Sequence, residues 1–260
     1  MQMAIILKEN EWAKQMIASR DLGKTPAETL RRIGRYYLDC GYTKKEVESK
    51  LESFLLQCEP DCPVQKRVDL VDYATKSATK YQAVDIDSIV ITDNEMQQID
   101  SLRGVHIRRL AFTLLCLTKY YDVARPGSDG WVSNGDAEIM SLANINTSKK
   151  RQAKMYSDLR DAGMIQFSKQ VDNTSVKVLF CTDGDPILRV ADFRNLGYQY
   201  LMYHGEPYFE CANCGITVKY KDPKNRRRQK YCPDCAAKIL TRQRVEAMMR
   251  YKSRHKTKNK

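Results

Sequence analysis

Four cysteines near the carboxyl end of the chain have the residue type and spacing of a metal site. Cys211 and Cys214 form one C-x2-C pair, Cys232 and Cys235 form a second, and 17 residues separate the pairs. Two residues between thiolates let each pair bind one ion from a tight turn, and four sulfurs complete the tetrahedral shell of a structural Zn²⁺. A closed shell leaves no coordination position for catalysis, so the spacing predicts structural zinc. An iron centre and a redox C-x2-C motif are the weaker alternatives.

Positive charge is concentrated around these cysteines. The chain has 44 Lys and Arg against 32 Asp and Glu, a net charge of +12. Residues 211–260 contain 16 of the basic and 3 of the acidic residues, so they carry +13 and residues 1–210 carry −1. A basic segment of this density binds polyanions through counterion release, which predicts a phosphate-rich partner. A tail that only solubilises the chain or binds anionic membranes is the alternative.

Basic residues fill the interval between the two cysteine pairs, with Tyr220 and Tyr231 among them. Guanidinium groups and aromatic faces suit phosphates and unpaired bases. A helix is predicted after the second pair, over residues 236–251, with Ile239, Val245 and Met249 facing inward. The predicted nucleic-acid contacts in this part of the chain are Lys219, Lys221, Arg226, Arg227, Arg228 and Lys230.

Residues 91–182 predict helices followed by a β-hairpin. Asn146-Thr147-Ser148 is a capping sequence for the longest of the later helices, and Gly163 follows it in the position of a left-handed C-cap. In chain order the pattern predicts helices over residues 106–121, 136–142 and 149–162, then strands at 164–168 and 176–180, joined through Asp172-Asn173.

This order of elements resembles a winged helix-turn-helix DNA-binding domain. The most specific stretch is Asp158-Leu159-Arg160-Asp161-Ala162-Gly163-Met164-Ile165, which resembles the turn from a recognition helix into the wing. The resemblance implies a recognition helix that enters the major groove. Short helical domains with a hairpin also occur in protein-interaction modules, and a solvated basic helix is the plain alternative. The predicted contacts on this helix are Lys149, Lys150, Arg151, Gln152, Lys154 and Tyr156.

The cysteine module resembles the zinc-ribbon and zinc-knuckle tails of bacterial and phage nucleic-acid-binding proteins. The likeness includes the stretch Arg228-Gln229-Lys230-Tyr231-Cys232-Pro233-Asp234-Cys235-Ala236. It covers about 40 residues and implies a class of binding protein only.

Residues 1–90 predict a small all-α domain. Thr25-Pro26-Ala27-Glu28 and Thr43-Lys44-Lys45-Glu46 have the pattern of capping boxes, and the two helices that they begin are expected to form a hairpin. Arg31, Arg32 and Arg35 form a basic helix face, which is usually a solvated surface. No cluster of His, Asp or Glu has the spacing of a site, so docking of a partner protein or a scaffold role is expected ahead of chemistry.

The predicted fold is mainly α within the α+β class. Its parts are a helical domain over 1–90, a winged-helix-like domain over 91–182, a tyrosine-rich connector over 183–210 and a zinc module with a basic tail over 211–260. In the connector Tyr198, Tyr200, Tyr203 and Tyr208 are expected to pack between the domains on either side.

The predicted function is non-enzymatic binding of nucleic acid, with DNA favoured over RNA. No Walker loop, Ser-His-Asp order, paired-carboxylate site or HExxH motif occurs, so catalysis has no candidate residues. A DNA-binding regulator or replication accessory factor of a phage or bacterium is the leading hypothesis. The alternative is an interaction protein or inhibitor that docks on a polymerase, ribosome or guide-RNA nuclease. The absence of a long apolar run and of a leader segment predicts a cytoplasmic protein, or one of the host cytoplasm if phage-encoded.

Overall fold

Helices dominate the part of the chain that the structure describes. In a computed structural model, residues 5–125, 127–169, 175–222 and 229–256 are described, apart from the side chains of 252–256. Ten helices and seven short strands occur within these ranges, which confirms the mainly helical α+β fold predicted from the sequence. The chain divides after Ile89 into two compact units.

The first unit is a bundle in which α2 contacts each of the other three helices. Its core contains Val47, Leu51, Phe54 and Leu55, the inward positions that the sequence pattern gives for the third helix. The capping box at Thr43 is confirmed, because its hydroxyl accepts from Glu46 N and the Glu46 carboxylate accepts from Thr43 N. The helices are α1 Glu9–Ser19, α2 Pro26–Asp39, α3 Lys44–Cys58 and α4 Val64–Ala78.

The basic face predicted on α2 is largely an ion-pair cluster inside the first unit. Arg32 and Arg35 are each 6% exposed, and both contact the carboxylate of Glu9, which is 2% exposed. Glu28, expected to cap its own helix, instead accepts hydrogen bonds from Arg31 and Arg32. The solvated interpretation of this face is therefore wrong for Arg32 and Arg35, because Glu9 on α1 covers and pairs with them.

The second unit is built around α6, which contacts α5, α7, α8 and α9. Its buried residues extend from Ile107 to Tyr121 and are mostly apolar, with Arg109, Thr113 and Thr118 as the polar exceptions. In chain order the elements are β1 Ile89–Thr92, α5 Asp93–Ser101, α6 Val105–Ala124, β2 Trp131–Val132, α7 Asp136–Leu142, α8 Lys149–Asp161, β3 Ile165–Phe167, β4 Val176–Val178, β5 Pro186–Val190, α9 Leu196–Tyr203, β6 Tyr208–Glu210, β7 Thr217–Lys219 and α10 Pro233–Lys256.

A three-stranded antiparallel sheet with the order β2-β4-β3 joins the predicted hairpin to the segment before α7. Trp131 pairs with Lys177 in β2 and β4, and Gln166 of β3 pairs with the same lysine from the other side. The sequence predicts a loop where β2 lies, because a two-residue strand leaves no periodic pattern. The predicted hairpin turn at Asp172-Asn173 lies outside the described residues.

Helix α5 has no counterpart in the predicted elements, although its signal is present in the sequence. Thr92 and Glu95 form a complete capping box, with reciprocal side-chain and backbone hydrogen bonds. Glu95 is fully buried and also accepts from Lys119 Nζ at 2.7 Å. Thr-x-x-Glu before a helix is the same signal that identified α3.

Residues 183–210, predicted to be a connector, include β5, α9 and β6. Helix α9 packs against α6 and against both β6 and β7. Tyr200 is 2% exposed and its hydroxyl donates to Asp100 Oδ1 at 2.6 Å, whereas Tyr203 is 40% exposed. The rings of Tyr198 and Tyr208 lie 4.7 Å apart.

Within the described residues, no helix has the length and apolar composition needed to cross a membrane.

Replacing Glu9 with Gln should destabilise the first unit. Glu9 accepts from Arg32 Nη1 at 3.0 Å, Arg35 Nη2 at 3.2 Å and Val84 N at 3.2 Å. Removing the charge leaves two buried guanidinium groups undercompensated, and breaking such a cluster costs about 3 to 5 kcal/mol. Urea unfolding should be followed by fluorescence in a Trp131→Phe background, where Trp12 reports on the first unit alone.

Glu11→Gln is the matched control, because Glu11 is on the same helix and its side chain is 64% exposed. Its effect should be within about 1 kcal/mol, the range of exposed ion pairs. Equal effects of the two substitutions would show that the buried cluster does not stabilise the unit.

Candidate metal centre and nucleic-acid interface

The four cysteines of the two C-x2-C pairs lie together in one cluster. Their Sγ atoms are all within 4.8 Å of one another, and Cys214 Sγ lies 3.8 Å from Cys232 Sγ. Four sulfurs at about 2.3 Å from a central ion would be separated by about 3.8 Å, which follows from a tetrahedron with ordinary zinc–sulfur distances. The sulfurs therefore have the separation of a ligand shell.

Two different local structures bring the cysteine pairs together. The first pair lies in the turn between β6 and β7, which is closed by Gly215 N donating to the carbonyl of Cys211 at 2.8 Å. Gly215 has φ +74°, where a residue with a Cβ is strained. The second pair lies at the start of α10, and Cys235 N lies 3.5 Å from Cys232 Sγ. A hairpin turn and a helix N-terminus thus face each other across the cluster.

Backbone N–H groups favour the thiolate form at Cys211. Cys232 N donates to Cys211 Sγ at 3.2 Å. Burial raises the pKa of Cys211, but the N–H groups of Cys232, Asn213 and Cys214 outweigh it and lower this pKa to about 6. Burial raises the pKa of Cys214 to about 12.

These residues fit a metal ion by chemistry as well as by distance. The thiolate is the ligating form of cysteine, and a bound divalent cation removes the thiol proton outright. Asn213 Nδ2 lies 3.3 Å from Cys235 Sγ, so an outer hydrogen bond orients a ligand as is usual around such ions. All four positions of a tetrahedral shell are supplied by the protein, and the cluster is suited to structure rather than catalysis.

Arg194 connects the first cysteine turn to the loop before α9. Its guanidinium donates to the carbonyl of Cys214 and to Asp192 Oδ2, the latter at 2.9 Å. The hydrogen bond with Asp192 raises the pKa of Arg194. Because Asp192 neutralises the charge of Arg194, the role of this arginine is to hold the turn at Cys214 by its hydrogen bond. No sequence motif marks this arginine, because it lies 17 residues before the first cysteine pair.

A second link joins β7 to the turn between α7 and α8. Asn195 Nδ2 donates to the carbonyl of Thr217 at 2.9 Å, and Asn195 Oδ1 accepts from Asn144 Nδ2 at 2.8 Å. Arg109, 7% exposed, donates from Nε to the carbonyl of Ala143 at 2.9 Å and from Nη2 to that of Asn144. These residues join α6, the α7–α8 turn and the hairpin of β6 and β7, residues 208–219, which is called the cysteine hairpin below.

The first turn of α8 presents exposed basic side chains. Lys149, Lys150 and Arg151 are exposed, and Ser148 caps the helix by accepting from Arg151 N at 3.4 Å. No acidic residue lies in this first turn. Burial, then the charges of Arg109 and Arg151, lower the pKa of His106 at the start of α6. The first turn of α8 is therefore an exposed basic surface.

The remaining predicted contacts on α8 differ among themselves. Gln152 Nε2 donates to the carbonyl of Thr147 at 3.0 Å, so its side chain is engaged within its own turn. Lys154 is exposed and pairs with Asp158 at 3.2 Å. Tyr156 is 6% exposed, and burial raises its pKa. Tyr156 is therefore a core residue on the inward face beside Met155, and its prediction as a surface contact is corrected.

In the cysteine module, Lys219, Lys221 and Lys230 are exposed at or near the ends of the segment between the two pairs. Arg226, Arg227 and Arg228 lie outside the described residues. Helix α10 begins at Pro233 and runs to Lys256, beyond the predicted 236–251. Val245 and Met249 are 44% and 66% exposed, so their prediction as inward residues is wrong. An exposed basic helix follows the cluster.

Comparison with models of protein families, with curated proteins and with solved structures found no match for this chain. The functional interpretation therefore depends on the geometry and charge of the chain itself.

Replacing Cys232 with Ser should abolish stoichiometric metal binding. The full chain, purified under reducing conditions, should contain about one ion per molecule, since four thiolates complete one shell. Loss of one ligand should lower the metal content several-fold and unfold the cysteine hairpin, because small modules of this kind derive folding energy from the ion. Elemental analysis measures the metal content, and hydrogen exchange of residues 208–219 measures the unfolding of the hairpin.

Cys40→Ser is the control, since Cys40 is an exposed cysteine outside the cluster. It should leave both readouts unchanged. A wild-type chain without stoichiometric metal would contradict the assignment of the cluster.

Proposed function

We propose that this protein is a non-enzymatic nucleic-acid-binding protein, in which a winged helix-turn-helix domain and a structural Zn²⁺ module act on the same ligand. The observation that carries the proposal is the exposed cluster of Lys149, Lys150 and Arg151 at the start of α8. Cations at a helix N-terminus oppose the helix dipole, so this placement does not serve the stability of the helix. An anionic ligand gives it a physical reason.

The arrangement of elements supports the winged-helix part of the proposal. Helix α6, the short α7 and α8 are followed by the β3–β4 hairpin, and β2 completes the sheet in the order β2-β4-β3. In such domains the second of two helices joined by a short turn enters the major groove and the hairpin flanks it. Here α8 has the corresponding position in the chain, and Arg151 is the side chain suited to a guanine edge.

Zinc is the ion that best suits the cluster. Four thiolates in a closed tetrahedral shell match a structural zinc site. The four Sγ atoms all lie within 4.8 Å of one another, which suits one central ion, whereas the four cysteines of an iron–sulfur cluster bind different iron atoms and lie farther apart. The ion orders a short hairpin and the start of a basic helix. The exposed Lys219 follows Cys214 by five residues in the chain, and the exposed Lys230 precedes Cys232 by two. We propose that these lysines contact phosphates.

DNA is the favoured ligand, because a helix at this position reads a B-form major groove more readily than the narrow groove of A-form RNA. The proposed biological role is that of a regulator or replication accessory factor of a phage or bacterium, acting in the cytoplasm.

Replacing Lys149 and Lys150 together with Ala should weaken binding and reduce its salt dependence. Removing one phosphate contact flattens the slope of log K against log salt by about 0.9 for duplex DNA. Fluorescence anisotropy against duplex DNA, single-stranded DNA and RNA of one sequence, between about 50 and 200 mM salt, measures this. Absence of binding by the wild-type chain to all three would refute the proposed function.

The matched control is Lys76→Ala combined with Lys66→Ala, which removes two positive charges from α4 of the first unit. Both lysines are exposed and pair with acids, at 2.7 Å to Asp72 and 3.1 Å to Glu59. Equal slopes for the two double variants would mean that net charge, rather than the start of α8, determines binding.

A second candidate function is docking on a nucleoprotein machine as an interaction protein or inhibitor. The observation that favours it is the exposure of Val64 and Val68 on α4, at 65% and 53%. They are four residues apart, so they lie on one face of the helix. This function predicts a protein partner that stays bound after nuclease treatment and is lost with Val68→Asp, whereas retention of nucleic acid alone favours the leading proposal.

A further inference from the structure

The side chain of Asn195 bridges two elements that lie far apart in the chain. Its amide group donates to the carbonyl of Thr217 at 2.9 Å, and its oxygen accepts from Asn144 at 2.8 Å. Thr217 is the first residue of β7 in the cysteine hairpin, and Asn144 follows α7. The carboxamide of Asn195 therefore makes one hydrogen bond to the carbonyl of Thr217 and one to the side chain of Asn144. The first uses its N–H group and the second its oxygen, so the two bonds need different atoms.

The turn at Asn144 has its backbone and side chain fully engaged. Asn144 has φ 55°, in the left-handed region, and ends α7 with its own N–H bonded to Ser141 and that of Ile145 to Met140. This is the double hydrogen-bond pattern of a Schellman C-cap. Asn144 Oδ1 also accepts from Tyr198 N at 3.2 Å. Because these hydrogen bonds restrain the turn at Asn144, we expect it to move together with the residues that it contacts.

Helix α9 approaches this turn too closely to leave space between them. A Cβ at Gly197 would collide with the carbonyl of Ala143, so only glycine permits the approach. Arg109 Nε donates to the same carbonyl. The turn therefore contacts both α6 and α9, and the side chain of Asn195 connects it directly to β7.

Both ends of the bridge lead within a few residues to basic side chains. Lys149 comes five residues after Asn144, and Lys219 comes two residues after Thr217 in the same strand. On the hairpin side, the cysteine turn is closed by hydrogen bonds between Cys211 and Ile216 at 3.0 Å and between Gly215 and Cys211 at 2.8 Å. A metal ion on Cys211 and Cys214 would fix this turn and hence the carbonyl of Thr217.

We propose that Asn195 is a positioning residue through which the metal-bound hairpin holds the α7–α8 turn, so that the first turn of α8 and Lys219 meet one nucleic-acid ligand together. The role in ligand binding rests on the proposed function, whereas the mechanical coupling between hairpin and turn does not. In this proposal the first turn of α8 and the surface around Lys219 form one composite interface. The metal module then orders the start of α8 in addition to the cysteine hairpin.

Two substitutions at Asn195 separate the two hydrogen bonds. Asn195 has φ 58°, which Asp and Gly tolerate better than other residues. Asn195→Asp keeps the acceptor for Asn144 but places an oxygen against the carbonyl of Thr217, so it breaks only the hairpin link. Asn195→Gly breaks both links. Asn94→Asp is the matched control, because Asn94 Nδ2 makes the same type of bond, to the carbonyl of Asp183 at 2.8 Å, elsewhere in the unit.

Hydrogen exchange of the full chain, with and without removal of its metal by a chelator, tests the coupling. The reporters are the amides of Asn144, Ile145 and Gln152, which donate at 3.0, 2.8 and 3.0 Å. In the wild type, metal removal should raise their exchange about tenfold, the effect of losing a buried hydrogen bond. In metal-loaded Asn195→Asp their exchange should already be raised, with little further change on metal removal, while Asn94→Asp should behave as the wild type.

Unchanged exchange of these three amides in the wild type, while residues 208–219 lose protection on metal removal, would overturn the coupling even if the variants do not fold. Additive effects of Asn195→Asp and metal removal would also overturn it, since they would mark Asn195 as merely stabilising. In binding experiments, metal-loaded Asn195→Asp should lose affinity several-fold with all basic residues intact. A wild-type chain that shows the exchange coupling but binds no nucleic acid would refute the proposed function and leave the mechanical coupling standing.

Discussion

The second unit depends on one buried cation, the guanidinium of Arg109, at the place where three of its parts meet. Burying a charge without partners carries a large desolvation penalty, so Arg109 is stable there only because backbone carbonyls replace its water. Those carbonyls belong to Ala143 and Asn144, in the turn that leads to α8. The need to solvate Arg109 thus fixes the turn, which also contacts the start of α9 and, through Asn195, the cysteine hairpin.

The cysteine hairpin is a second constraint, and it is of a different kind. Strands β6 and β7 have three residues each, too few to form a stable hairpin in water. Its small core consists of the cysteines with Ile216 and Val218 packed on them. A metal ion on the four thiolates would supply the energy that such a core lacks, and hydrogen bonds from Arg194 and Asn195 join the hairpin to the segment that leads into α9.

Basic residues have two different roles in this chain, and the exposed group supports the functional proposal. In the first unit, Arg32 and Arg35 are buried against Glu9 and serve the packing of α1 on α2. In the second unit, Lys149, Lys150, Arg151 and Lys219 are exposed. Charges that the fold leaves in solvent, on a helix end that disfavours them, remain able to bind an anion.

The sequence alone determined those features that depend on local chemistry. Three such features were predicted: the metal-ligand spacing, the capping box at Thr43 and the order of helices before the hairpin. Each depends on residues that lie close together in the chain. Contacts between distant residues were decided only by the tertiary structure: Glu9 with the arginines of α2, the burial of Tyr156 and the bridge from Asn144 through Asn195 to Thr217. Periodicity gives the face of a helix but not what covers it, because the covering element can come from anywhere in the chain. For the same reason Val245 and Met249 of α10 have an inward pattern and yet lie exposed to solvent.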